Sequence, residues 1–385
     1  MKILMIAPEP FFEPRGTPFS EYFRIQSLSR LGHEIDLVTY PIGEDKEIRG
    51  LTILRSFKPP FIRSVKTGPS KSKILLDFFL FFKAAGRLFR KKYDLIHTHE
   101  EANIMGAFFS RLTGTPHLYD MHSSLVQQMK NFQFTKSRLI TAVFRKMEKI
   151  SLNNAVSVIV ICRALYDYAS TITDKNKLTV IENFIDDTPE KLDPEKLEHY
   201  KKELDTAGKT IITYAGTLES YQGIPLLLDA VALLDERFRL ILIGGKPAQV
   251  EAVRAEAEER GLTERVTLLG SRDPGEIPYY LSLSDILVSP RILGTNIPLK
   301  IYSYLKSGIP LVATDLYTHT QSVTKDIAIL KKPEAGDFAA GIREAATDAG
   351  KKTAENAVKF CRENYSIEKY DELVGEALLK AVPGG

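Results

Sequence analysis

The stretch KILMIAPEPFFEPRGTPFSEYFRIQSLSRLGHEIDLVTY, residues 2–40, decides the fold. Residues 2–7 form an apolar run of the length of one buried strand, residues 19–31 carry helical spacing, and residues 34–40 form a second apolar run. Gly32 stands where a helix C-cap is needed. The stretch therefore predicts a β-α-β unit whose strands, apolar at nearly every position, are covered on both faces as in a parallel sheet. Working outward, similar runs at 51–55, 95–98, 117–119, 157–161 and 178–182 have helical segments between most of them, which predicts a doubly wound α/β domain over residues 1–185.

The polar stretch IDDTPEKLDPEKLEHYKKELDTAGK carries two prolines and no strand-like run until Thr210, so residues 186–209 are expected to be a linker. The alternation then restarts with TIITYAG, RLILIGG, RVTLLG, DILVSP and IPLVATD. Residues 210–350 are expected to form a second doubly wound sheet, and residues 351–385 terminal helices that pack outside it or cross back to the first domain.

A length of 385 residues suits two domains of under ~200 residues each. The balance of 52 basic and 49 acidic residues is too even to imply nucleic acid as a partner. Cys162 and Cys361, the only cysteines, form no CxxC or zinc pattern, and HTHEE at 97–101 is not the HExxH of a metalloprotease, so no metal is expected. The first residues lack the layout of a signal peptide and no run of about 20 apolar residues occurs, so a cytoplasmic location is expected.

In an open α/β sheet, ligands sit beyond the carboxyl ends of the strands, where helix N-termini offer free amides to phosphate. Gly16 and Thr17 in the first strand-to-helix loop are either such a binding turn or a capped surface loop. In AGTLESYQG, Gly216 ends a strand and Gly223 opens a helix, while IGGKPAQ places Gly245 and Lys246 at the next strand end. The richest string is LVSPRILGTNIPLKIYSYLKSGIPLVATD, where a loop offers Arg291, Gly294, Thr295 and Asn296 before a helix expected from about Pro298. Lys300 falls in its first turn, with Ser303 on the same face. Free amides and two cations at the positive end of a helix dipole suit a diphosphate.

These strings, together with NFID at Asn183, resemble family 4 bacterial glycosyltransferases along almost the whole chain. The resemblance implies the GT-B architecture, two Rossmann-like domains facing across a cleft, with the nucleotide sugar in the second domain and a hydroxyl acceptor in the first. It also implies transfer with retention, no metal and no cofactor beyond the donor itself. The chain departs from the family's pattern in two places. Many members carry an Arg and a Lys in the Gly216 loop, where this chain has Thr217 and Gln222. Many also carry two glutamates around the donor sugar, where this chain has Thr295 and Ser303. Lys300 and Arg291 are expected to supply the missing charge. A nucleotide-sugar epimerase of the same architecture and a non-catalytic sugar-nucleotide binder are the rival readings.

The family's candidate histidine matches His122 in YDMHSS, with Asp120 beside it; it would either bond the donor or orient the acceptor. His99 and Glu100 are expected to contact the acceptor or to support the residues that do. Residues 73–92 interleave Phe78, Phe79, Phe81 and Phe82 with Lys83, Arg87, Arg90, Lys91 and Lys92. They form either an amphipathic helix that buries its aromatics on the sheet or a surface that meets a membrane and a lipid-linked acceptor.

Overall fold

The computed structural model describes residues 1–13, 16–62, 65, 70–124, 126, 137–182, 192–204 and 208–382. The NFID string and residues 186–191 and 205–207 of the expected linker lie outside the described residues. The chain divides into two compact units, Met1–Asn183 with Ile367–Gly385, and Phe184–Ser366.

In the first unit the order is β1 (Lys2–Ala7), α1 (Gly16–Arg30), β2 (Glu34–Thr39), β3 (Leu51–Arg55), α2 (Lys71–Leu88), β4 (Leu95–His99), α3 (Asn103–Thr113), β5 (His117–Met121), α4 (Arg138–Asn154), β6 (Ser157–Val160), α5 (Arg163–Ser170) and β7 (Leu178–Val180). These strands form one parallel sheet in the order β3-β2-β1-β4-β5-β6-β7. Ile3, Leu4, Met5 and Ile6 are all fully buried, as a strand covered on both faces requires. Gly32 follows α1 with φ +81°, the left-handed cap read from the sequence. Ser70 and Ser137 accept from the Lys73 and Ile140 amides and so start α2 and α4.

The second unit runs α6 (Pro194–Leu204), β8 (Thr210–Ala215), α7 (Ile224–Ala232), β9 (Phe238–Ile243), α8 (Pro247–Glu259), β10 (Val266–Gly270), α9 (Ile277–Ser282), β11 (Ile286–Ser289), α10 (Lys300–Lys306), β12 (Leu311–Thr314), α11 (Tyr317–Thr320), β13 (Ile329–Lys331), α12 (Ala335–Ala345) and α13 (Asp348–Asn364). Its parallel sheet has the order β10-β9-β8-β11-β12-β13. Ile212, Tyr214, Leu228, Leu240, Val288 and Phe338 belong to one buried core beneath it.

Three expectations change. The stretch read as linker contains α6, which is held to the second unit because Tyr200 Oη donates to Glu276 at 2.8 Å and Arg272 pairs with Glu203 at 3.2 Å. A proline at its start and an Asp193 carboxylate accepting from the Glu195 amide explain why this polar segment is helical. Of the terminal helices, α13 stays with the second unit, and only α14 (Ile367–Ala381) returns to the first. There Asp371 takes a two-pronged bond from Arg30, and Lys380 donates to Leu178 O and Thr179 Oγ1. Finally, the helix expected from Pro298 starts at Lys300, after a tight turn in which the Ile301 amide donates to Pro298 O.

Strand order reverses between β1 and β4 in one sheet and between β8 and β11 in the other. Diverging helices leave a crevice at such a switch point, which is where doubly wound sheets bind ligands.

Candidate active site

In the second unit the loops after β8 and β11 meet at the switch point. Gly216 follows β8 with φ +152°, and a side-chain carbon there would lie 2.9 Å from Lys300 Nζ. Only glycine lets the ammonium come so close. Gly244, at the end of β9, is held as tightly, since a Cβ on it would run into Gly216 O. Lys300 Nζ lies 3.5 Å from the centre of the Tyr214 ring, and Tyr214 Oη donates to Thr217 O at 2.6 Å. Tyr304 of α10 accepts from the Ala215 amide at 2.7 Å and so fixes α10, and Lys300 with it, against the end of β8.

Arg291, after β11, stands over the Tyr221 ring at 5.2 Å, donates to Leu293 O at 2.8 Å and fills the space beside Gly294. Lys300 Nζ is buried and has no hydrogen-bond partner among the described residues; Gln222 Oε1 is in the same position. Burial, and then the Arg291 charge, hold the Lys300 ammonium well below its ordinary pKa. A buried cation with only a ring face for company is costly unless an anion arrives to pair with it.

The structure thus gathers Gly216, Thr217, Gln222, Arg291, Gly294 and Lys300, with Gly245 beside them, packed on Leu218. Thr295 and Asn296 lie in the loop before α10, their carbonyls accepting from Gln321 and Thr318. Lys246 is exposed at the start of α8, and the Ser303 hydroxyl bonds back to the helix backbone at Lys300 O, 2.9 Å away. Gly16 and Thr17 belong to the first unit. They form the first turn of α1 rather than a loop before it, and Thr17 Oγ1 donates to Glu100 Oε1 at 3.4 Å.

At the first unit's switch point a buried charge network surrounds Asp120. Arg24 Nε donates to Asp120 Oδ2 at 2.7 Å, His97 Nε2 lies 3.5 Å from the same oxygen, and His122 Nε2 lies 3.2 Å from Oδ1. His122 Nε2 also meets His99 Nδ1 at 3.4 Å, and the His97 and His99 rings stack. Burial alone would push the Asp120 carboxyl up, but Arg24 and then His122 hold it well below the usual carboxylate range. His99, fully buried, is pushed well below the usual imidazole range. Glu100 accepts from Ser123 at 2.8 Å and sits at φ +45°, a left-handed conformation rare outside glycine, directly after the β4 strand.

His97, His99 and Asp120 offer ligand atoms within 4.8 Å of one another. A divalent ion there would compete for an oxygen already bonded to a buried guanidinium and would face that charge, so the donor set suits an arginine-centred network better than a cation.

Sequence reasoning missed Arg24, Glu21 and Glu9. Glu21, Arg24 and Leu28 recur at three and four residues on the buried face of α1, so two charges on an apolar stripe were the available signal. Glu9 and Glu21 meet carboxyl to carboxyl, a bond that requires a proton on one of the two. Burial pushes Glu21 up to about 8 and Glu9 well above its ordinary value. A raised folded-state pKa means that the folded chain holds a proton the unfolded chain has lost, so stability falls as pH rises from about 4.3 to about 8. Glu21→Gln is expected to reduce this slope, the remainder coming from Glu9. Its melting temperature should exceed that of the wild type by a margin that widens across the window, and thermal melts over a pH series measure it.

Two family models match the chain, one in each half: glycosyl transferases group 1 over residues 195–363, and glycosyltransferase family 4 over residues 25–188. The chain is 28% identical over 220 residues to 2-deoxystreptamine glucosyltransferase of Streptomyces kanamyceticus, covering 52% of this chain and 54% of that protein. It is 24% identical over 310 residues to alpha-D-kanosaminyltransferase of the same organism, covering 75% and 78%. The chain spans about half the length of the first two curated relatives it matches. Among solved structures it is similar to HepE of Anabaena in complex with UDP (TM-score 0.78, 20% identity, 98% and 99% covered). It is also similar to sucrose-phosphate synthase of Thermosynechococcus elongatus (TM-score 0.76, 19% identity, 98% of each chain). With two parallel sheets built to the same plan and a family match in each half, the chain belongs to the family 4 glycosyltransferases of GT-B fold.

Proposed function

We propose that this chain is a glycosyltransferase that takes a sugar from a nucleotide diphospho-sugar held in the second unit and passes it to a hydroxyl acceptor, with retention of configuration. The single observation that carries the reading is Lys300, an unpaired ammonium buried at the β8/β11 switch point with Arg291 beside it. A pyrophosphate placed there would pair with both cations. As the sugar–oxygen bond breaks, negative charge grows on the leaving diphosphate, and fixed cations in a dry site stabilise it in the manner of a divalent ion. The HepE structure contains UDP, and the two Streptomyces relatives are named as sugar transferases, which supports a nucleotide-sugar donor.

The first unit is assigned the acceptor. His122, 3.2 Å from Asp120 Oδ1 and 3.4 Å from His99 Nδ1, is assigned the bond to the acceptor hydroxyl. His122→Ala is expected to lower turnover by about 10²-fold or more, the usual worth of a positioned acid–base group, while donor affinity stays within about twofold. Steady-state kinetics with separate donor titration test this, and unchanged turnover in a folded variant removes His122 from the reaction. Nucleotide release measured with and without acceptor tests the reading as a whole. Release only when acceptor is present supports it, turnover of donor alone would mark an epimerase, and binding without release would mark a non-catalytic receptor.

A further inference from the structure

The sequence left two readings open for the aromatic helix α2, and the side chains divide between them. Leu76, Leu80 and Ala84 are fully buried against the sheet, whereas Ile74, Phe78, Phe82 and, just past the helix, Phe89 are 56% to 75% exposed. Residues 74, 78 and 82 recur every fourth position, so they form one outward stripe.

The stripe does not stand alone. Right-handed crossovers put α2, α3 and α4, which all lead toward the β7 edge, on one face of the sheet, with α1 on the other. Phe81 of α2 packs its ring on Phe108 and Phe109 of α3 at 5.7 and 4.9 Å, and α3 packs in turn on α4. The outer side of α3 exposes Phe108 and Leu112, and that of α4 exposes Leu139, Ile140, Val143 and Ile150. At the other edge, Phe57 meets Phe79 at 5.0 Å, so exposed apolar side chains follow one another from the end of β3 to α4. Soluble surfaces rarely leave that much contiguous apolar area to water without a partner.

The charges on the same three helices are one-sided. Lys83, Arg111, Arg145, Lys146 and Lys149 are exposed. The two acids are turned inward: Asp77 accepts from Tyr40 at 2.6 Å, and Glu148 is buried and accepts from Ser124 and Tyr168. Among the described residues of α2, α3 and α4, every exposed charge is therefore positive. A protein partner would need a large acidic and apolar face, whereas an anionic bilayer offers both features together, phosphate at its surface and hydrocarbon a few ångströms below. No helix among the described residues is long and apolar enough to cross a membrane, so this surface would lie on the bilayer and not span it.

We propose that the outer face of α2, α3 and α4 docks on an anionic lipid surface, with Phe78, Phe82, Phe89, Phe108 and Leu139 entering the headgroup region and the lysines and arginines meeting lipid phosphate. The inference does not rest on the transferase reading, since the face would bind vesicles whatever chemistry the chain performs. The test is co-sedimentation of the full chain with phosphatidylcholine vesicles, with and without an equal part of phosphatidylglycerol, at low and high salt. The wild type is expected to partition onto the anionic vesicles, more weakly onto the neutral ones, and less at high salt. Phe78→Ser with Phe82→Ser should lower the partition coefficient roughly tenfold or more, and Lys83→Glu with Lys146→Glu should abolish the preference for anionic lipid. Both pairs are surface changes, so unchanged melting curves would show that the fold survives. Absence of binding at low salt would overturn the proposal. So would binding that neither variant alters, or a concentration-dependent dimer that Phe78→Ser with Phe82→Ser dissolves and vesicles do not displace.

Discussion

Lys300→Met is expected to weaken binding of a nucleotide sugar by about 10- to 100-fold, because one charge-assisted hydrogen bond of about 1.5 to 3 kcal/mol is lost. The same substitution should make the ligand-free protein more stable. In the absence of an anion, Lys300 Nζ is buried with no hydrogen-bond partner among the described residues, near Arg291 and above the Tyr214 ring. Met keeps most of the side chain's apolar length and relieves the desolvation of that ammonium, a gain of about 1 to 3 kcal/mol. For a unit of this size each kcal/mol moves the melting temperature by about 2 to 4 °C. The opposite signs give the prediction its force. A residue that only props up the fold would lose stability on truncation, and one that only lines the surface would change neither quantity. Calorimetric melts of wild type and variant, with and without a UDP-sugar, give both numbers.

Arg24→Met is expected to cost about 3 to 5 kcal/mol, because it leaves Asp120 charged and fully buried with only imidazoles beside it. It also removes the cation that lies 5.1 Å over the Tyr370 ring and so weakens the seat of α14 on the first unit. Adding Asp120→Asn should restore part of the loss, since the buried charge is then gone. Denaturant titration of the two single variants and the double variant closes the cycle, and strictly additive losses would show that the pair is not coupled. The pH dependence has a definite sign. Asp120 has a depressed pKa, so its contribution is complete above the ordinary carboxylate range and is lost as pH falls through the lowered folded value.

The doubly wound plan was legible because parallel strands covered on both faces are unbroken apolar runs, and runs such as KILMIA and TIITYA are hard to read otherwise. The short strand Ile329–Lys331 was not read, because three residues carry no period. Helix α6 was hidden by its polarity, which masks a single buried anchor, Tyr200. In the site, glycines and cations at strand ends could be read from the strings around Gly216, Arg291 and Lys300, because a switch point has few positions to offer. What could not be read was which of them meet. Ser303 shares a helical face with Lys300, yet its hydroxyl bonds to the helix backbone. Tyr304, which reads as one more core aromatic, ties α10 to the end of β8 through the Ala215 amide. Glu21 and Arg24 were passed over because a charge on an apolar stripe becomes informative only when its partner, here Asp120 on a distant strand, is known.

The claim on which the functional reading turns is that Lys300, buried and without a hydrogen-bond partner among the described residues, pairs with the diphosphate of a donor. Isothermal titration of a UDP-sugar into the wild type and into Lys300→Met measures the two affinities directly. The account predicts binding to the wild type that is about 10- to 100-fold tighter than to Lys300→Met. Binding of equal strength in both proteins would contradict it.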